Sequence, residues 1–235
     1  MNALVEKIAL RHGIGDLLAE GVKRAAHQLG PASAPFAIHV GGQELPMHDP
    51  RYEPAMGVIY KMDATPGRHT QACQFMTPPE YVSGRPGFGV RPDLQEERGR
   101  WVREAALLNH TMNASGLCLF GYLSTTYTLV PEFLTAVWGE PFTVEDMLMV
   151  GERIANVRQA FNVRAGINAV AISVPDRVLG IPPLPDGPTA GIKVLIEQMS
   201  REFLDGMGWT QDGAVPRPEV LRRLGLDDVA RDLWS

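Results

Sequence analysis

A chain of 235 residues, 45% of them hydrophobic and 21% charged, is long and apolar enough to bury the core of one large domain or two small ones. Its formal net charge of −5 argues against nucleic acid as a main partner, because phosphate binding wants a basic face. No segment approaches the roughly 18 consecutive apolar residues of a membrane span. The first residues lack the charged-then-apolar pattern of a secretory leader, so a cytoplasmic location is expected, and two cysteines cannot make a disulfide framework.

In chain order, residues 3–29 predict two helices broken at Gly13-Ile14-Gly15, with Leu4, Ile8, Leu17, Leu18, Val22 and Ala25 at helical spacing. Gly30 to Pro35 interrupts the pattern. Phe36 to Val40 reads as a short strand closed by Gly41-Gly42, and residues 52–62 as a helix. From Pro66 to Pro92 the chain is rich in Gly, Pro, Thr and Arg and keeps no period; such a length is a functional loop or a disordered one. Pro92-Asp93 opens a helix over 93–112, and another runs from Pro131 to Trp138. Thr143 caps a long helix with Glu145 and Asp146 in its first turn and an apolar stripe of Met147, Val150, Ile154, Val157 and Phe161. An amphipathic helix is expected over 188–206, and two short ones after Pro216 and Asp227. The fold class is mainly α, with almost no strand, divided as 1–130 and 131–235, two units that can pack as one.

The run Asn113-Ala114-Ser115-Gly116-Leu117-Cys118-Leu119-Phe120 places one of the two cysteines after a Gly-containing turn at the end of a long helix. Gly116 lets the chain approach a ligand closely and Cys118 can give a thiolate to iron; a plain core cysteine is the alternative. The run resembles the D-x-x-G-L-C motif of the tungsten-containing aldehyde:ferredoxin oxidoreductase family, with Asn113 at the usual Asp. The likeness extends further. Gly13 to Val22 is similar to G-I-G-D-x-L-A-E-G-V. Glu44-Leu45-Pro46-Met47-His48-Asp49-Pro50-Arg51 is similar to E-L-P-x-Y-D-P-R, with His48 at the Tyr. Gly151-Glu152-Arg153-Ile154 through Phe161-Asn162-Val163-Arg164 is similar to G-E-R-I…F-N-x-R. Pro183 to Pro188 and Gly208-Trp209 resemble the tail.

The resemblance implies the C-terminal helical part of an enzyme that oxidises aldehydes to carboxylic acids with ferredoxin as electron acceptor. Its cofactors would be a tungsten bis-pterin of the molybdopterin type and a 4Fe–4S cluster. By the same resemblance Asn113, Ser115, Gly116, Leu117 and Leu119 line a pterin and Cys118 is the fourth cluster ligand. The family's other three thiolates, in a C-x-x-C-x-x-x-C segment, and its N-terminal β domain have no counterpart in this sequence. The chain would then be a fragment or one subunit of a split protein, inactive alone, with an uncovered apolar surface prone to self-association. Rival readings are a cofactor-free helical domain or assembly subunit of the same fold, and part of an aromatic acyl-CoA reductase of the same family.

His69, in Thr65-Pro66-Gly67-Arg68-His69-Thr70, is the leading catalytic candidate. It lies 21 residues after His48, the spacing that the resemblance implies between the motif Tyr and the active-site His. An imidazole there can hydrogen-bond an aldehyde or carboxylate oxygen. A second register, through Ala72-Cys73-Gln74-Phe75, puts Gln74 at that position. His48 can face substrate or serve only as a turn residue before Asp49-Pro50. Arg68 can bind a pterin phosphate or a carboxylate, or remain a solvated loop arginine. Cys73 reads as structural, Glu152 and Arg153 as a surface or inter-helix charged pair, and Met147, Met149 and Met199 as core. Gly84 to Gly89 has no strand before it or helix after it, so it is no nucleotide fingerprint.

Overall fold

The computed structural model describes residues 2–70, 95, 98–122 and 129–235. Three short helices open the chain, α1 (Asn2–Ala9), α2 (Ile14–Leu18) and α3 (Val22–Leu29). The sequence pattern suggested two. The extra break falls at Gly21, whose φ of 84° leaves the helical region, and the N–H of Val22 donates to Glu44 Oε1 at 2.7 Å instead of continuing the previous helix.

Pro31–Phe36 is a 3₁₀ turn, so the expected strand shortens to β1 (His39–Val40), paired antiparallel with β2 (Gln43–Glu44). This is the one ladder among the described residues. The remaining elements are α4 (Ala55–Met62), α5 (Arg98–Ala114), α6 (Leu119–Tyr122), α7 (Leu129–Trp138), α8 (Val144–Arg164), α9 (Ile196–Met207), α10 (Pro218–Arg223) and α11 (Asp227–Trp234). Helix is well above the ordinary third of residues, as the periodicities required.

The expected helix over 188–206 starts only at Ile196. Before it, Gly191 N donates to Leu184 O and Val194 N to Leu179 O, so these backbone groups close a loop and cannot make helical bonds. α5 packs on α8 and α9, and α4 lies against α5 and α9 with all eight of its residues buried. The main core joins Met56, Ile59, Leu107, Met199 and Leu204; a second cluster joins Leu108, Met112, Tyr122 and Met147 beneath α6 and α7.

α8 departs most from the sequence reading. Of the expected apolar stripe only Met147 is buried, while Val157 is 44% and Phe161 72% exposed; Met149, read as core, is 50% exposed. The inward face is Gly151, Glu152, Ala155, Asn156, Gln159 and Ala160. Close approach requires it, since a Cβ on Gly151 would stand 1.9 Å from Leu107 O on α5. The polar members find partners: Asn156 Oδ1 accepts from Trp209 Nε1 at 2.9 Å, and Gln159 Nε2 donates to Ala214 O at 2.9 Å, although Gln159 Oε1 has no hydrogen-bond partner among the described residues. Glu152 is buried and takes Arg103 at 3.1 Å and Arg223 at 2.7 Å, an inter-helix pair as one reading had it; Arg153 is exposed.

The N-terminus of α8 matches expectation. Asp146 N donates to Thr143 Oγ1 at 3.2 Å, and Thr143 N to Asp146 Oδ2 at 2.8 Å, a reciprocal capping box. Thr143→Ala is expected to lower stability by about 1 kcal/mol, read from the denaturant midpoint at unchanged slope; no shift would mean the cap is idle.

Candidate active site

Three segments meet beside the buried helix α4: residues 45–51 after β2, residues 63–70 after α4, and the turn 113–118 after α5. Tyr60, in the last full turn of α4 and fully buried, ties the first two. Its hydroxyl donates to His48 O at 2.8 Å, and its carbonyl accepts from Gly67 N at 2.9 Å. The His48 and His69 rings consequently face each other, with centroids 4.6 Å apart and planes inclined at 49°.

Both histidines are half-buried, and Arg68 between Gly67 and His69 is exposed. Desolvation first, then the neighbouring His48 and Arg68, holds His69 below the ordinary imidazole value. Its ring is therefore neutral at pH 7. His48 also sits in a real turn: Asp49 Oδ1 accepts from Arg51 N at 2.8 Å and Oδ2 from Arg51 Nη2 at 2.6 Å. Turn geometry and ring placement thus coexist at this residue. His48 borders a cleft of about 280 Å³ shared with Leu45, Met47, Arg51 and Arg177.

The 113–118 turn joins the same assembly. Asn113 Nδ2 donates to Thr70 O at 3.1 Å and to Asn109 O at 2.9 Å. Both amide hydrogens are engaged, so its remaining capacity toward a ligand is as an acceptor. The Ser115 hydroxyl donates to Met112 O at 2.7 Å. Gly116 has φ 77°, and a Cβ there would meet nothing within 4 Å; the turn needs Gly for its backbone conformation and leaves open space at that point. Leu117 is exposed, and Cys118 is an exposed free thiol. Leu119 turns inward and packs on the second core cluster. Cys73 and Gln74, with the rest of 71–94, lie outside the described residues.

Sequence reading missed the polar network beneath the site. Arg158 of α8 grips Asp63 with both ends of its fork, Nη1 to Oδ2 at 3.1 Å and Nη2 to Oδ1 at 3.0 Å, and Nη2 also reaches Thr65 Oγ1 at 3.1 Å. Asn162, one turn on, donates to Ala64 O at 2.8 Å. His110 Nδ1 lies 3.4 Å from Arg158 Nη1. Burial pushes His110 down to about 4, opposed by Asp63 and assisted by Arg158. The available signal was the pairing of small and polar residues along α8, which periodicity reads as a solvent face.

Among the described residues no group of three or more His, Cys, Asp or Glu side chains stands together as a metal site, and no helix is long and apolar enough to cross a membrane.

The chain is similar to known proteins over nearly its whole length. The family model for aldehyde ferredoxin oxidoreductase, domains 2 & 3, matches residues 1–226. The tungsten-containing aldehyde ferredoxin oxidoreductase of Pyrococcus abyssi is 35% identical over 225 residues, covering 95% of this chain and 36% of that protein. The enzymes of the same name from Pyrococcus horikoshii, at 35% over 228 residues, and Thermococcus kodakarensis, at 34% over 227, are similar over the same share. The chain thus spans about a third of the length of the curated relatives it matches. A chain of the active site complex BamBC of benzoyl coenzyme A reductase, solved with 1,5-dienoyl-CoA, superposes with a TM-score of 0.68 at 22% identity, over 97% of this chain and 39% of that one.

Proposed function

Because the chain belongs to the aldehyde ferredoxin oxidoreductase family, over the part described as domains 2 and 3, we propose that it acts as the C-terminal part of an enzyme oxidising aldehydes to carboxylic acids with ferredoxin as electron acceptor. The reading is carried by one observation: the His48 and His69 rings are 4.6 Å apart, on a segment that Asn113 ties to the turn bearing Cys118. The likeness to the BamBC chain adds the fold alone and does not favour an acyl-CoA substrate.

The family implies a tungsten bis-pterin and a 4Fe–4S cluster. The residues at the turn fit a share of that load. Cys118 is an exposed thiol able to serve as one of about four cluster ligands. The open space at Gly116 allows a flat ligand to approach the backbone, and the Asn113 amide oxygen can accept from a pterin amine. Ser115, with its hydroxyl hydrogen engaged, and exposed Leu117 would border the same ligand, and Arg68 would meet its phosphate. Leu119 would act from behind, by holding the turn on the core. When bound, the cofactors supply the redox chemistry; the protein supplies orientation and proton handling.

Oxidation of an aldehyde with water to an acid releases two electrons and two protons. His69, neutral at pH 7 because of its desolvated position beside His48 and Arg68, is suited to take one of those protons and to hydrogen-bond the substrate oxygen. His48 orients that ring and borders the cleft. All of these site segments lie within residues 1–130, beside α4 and α5, and α8 from the later part of the chain braces them.

The test is anaerobic co-expression with the remaining two thirds of the relatives' length, with metal analysis and viologen-linked aldehyde oxidation. His69→Asn is expected to keep its metal and lose roughly 10²–10⁴-fold in kcat, and Cys118→Ala to lose cluster absorbance. Full turnover by His69→Asn would sink the role of that ring. The acid limb of the kcat/KM profile should fall below the ordinary imidazole value, since a lowered pKa keeps His69 neutral further into acid. His48→Phe, which removes one of the groups holding it down, should move that limb upward.

A further inference from the structure

The loop that carries His69 does not hold itself in place. Residues 63–70 have little apolar anchorage of their own, yet their start is fixed by α8, a helix whose Arg158 lies 95 residues further along the chain than Asp63. Arg158 makes three hydrogen bonds to this segment, two to Asp63 and one to Thr65, and Asn162 on the next turn makes a fourth, to Ala64 O. Asp63 in turn caps the loop locally, accepting from Thr65 N at 2.8 Å. A planar guanidinium that bridges two residues of one loop fixes direction as well as distance.

Stability alone does not account for this arrangement. An ion pair that served only to join α4 and α8 would need Asp63 and Arg158 and nothing more. Here the fork also takes a side chain of the loop, and the neighbouring amide takes a loop carbonyl ahead of His69. Underneath, His110 Nδ1 lies 3.4 Å from the same guanidinium.

We infer that Arg158, assisted by Asn162, is a positioning residue for His69: α8 sets the angle at which the 63–70 segment leaves α4, and so sets the contact between the His69 and His48 rings. This rests on His69 being the proton-handling group proposed above, but its test reads ring geometry and titration in the 235-residue chain and not turnover, so either can fail without the other.

The experiment is NMR of the chain with labelled histidine. Arg158→Met is expected to lose at least half of the His48–His69 ring cross-relaxation and to raise the His69 titration midpoint toward that of an ordinary imidazole. The ring chemical shifts of His12, in the turn between α1 and α2, should not change at a fixed pH. Because Arg158→Met strands a buried carboxylate, the charge-neutral pair Asp63→Asn/Arg158→Met is measured beside it; the amide oxygen introduced there can still cap Thr65 N. Asn162→Ala, which leaves the ion pair intact, should shift both readouts in the same direction by less. Circular dichroism identifies the folded variants. Unchanged cross-relaxation and an unchanged His69 midpoint in Asn162→Ala and in whichever Arg158 variant folds would overturn the inference.

Discussion

Between pH 6.5 and pH 4 the chain should lose on the order of 3 kcal/mol of stability through His110 alone. The ring is buried on α5, and burial pushes its pKa down to about 4 from 6.5. The sign follows from which state binds protons. Above pH 6.5 the imidazole is neutral folded and unfolded, so it contributes no pH dependence. As pH falls below 6.5 the unfolded chain takes up a proton that the folded chain refuses. Each pH unit of that window costs about 1.4 kcal/mol, and the loss levels off near pH 4, where both forms are protonated. Denaturant titrations at pH 4, 5, 6 and 7 measure the slope, and His110→Gln should flatten it relative to the parent. Carboxylates titrating in the same range affect both proteins alike, so the difference isolates the ring. Parallel curves would show that the ring takes up its proton alike in the folded and the unfolded chain.

Gly151→Ala is the second large expectation. The added methyl would lie 1.9 Å from Leu107 O and 2.5 Å from its carbonyl carbon, and a helix backbone cannot step aside as a flexible side chain can. α5 and α8 must separate, which strains the packing of Ala155 and Leu107 in the main core. Overpacking ordinarily costs about 1–3 kcal/mol, occasionally more, and rigid backbone on both sides puts this site at or above the top of that range. At roughly 2–4 °C per kcal/mol for a chain of this size, the melting midpoint should fall by roughly 6–12 °C. Met149→Ala, nearby on the half-exposed outer face, should cost far less. A Gly151→Ala variant as stable as the parent would mean that the two helices are not in backbone contact.

These two sites also show what the sequence could and could not disclose. Helices were legible wherever their signals are local: the cap at Thr143, the apolar run of α4, the proline before α10. His48 and His69 were each singled out by spacing and family likeness, but not that their rings meet or that Tyr60 ties both segments. The inner face of α8 was not legible, because hydrophobic periodicity assumes that burial means bulk. At a close crossing the opposite holds. Gly151 and Ala155 are inside because they are small, and Asn156 and Gln159 are inside because each donates or accepts at a specific partner on a neighbouring segment. The bulky residues Phe161 and Val157 are therefore left outside. The Arg158 network was illegible for a related reason. Its partners are separated by 48 to 98 residues, and no local pattern encodes a contact that exists only once two helices have docked.

Tyr60 has a mechanical consequence. Its carbonyl and its hydroxyl serve different turns, so the two imidazoles hang from a single buried ring and its own backbone. Small rocking of α4 together with the α8 side chains that grip residues 63–65 would carry both, like two blades on one pivot. Their separation changes less under such joint motion than their common distance to anything docked from outside. Fluctuations of the pair should thus be correlated in direction, and any molecule seated against them would sense one moving body and not two.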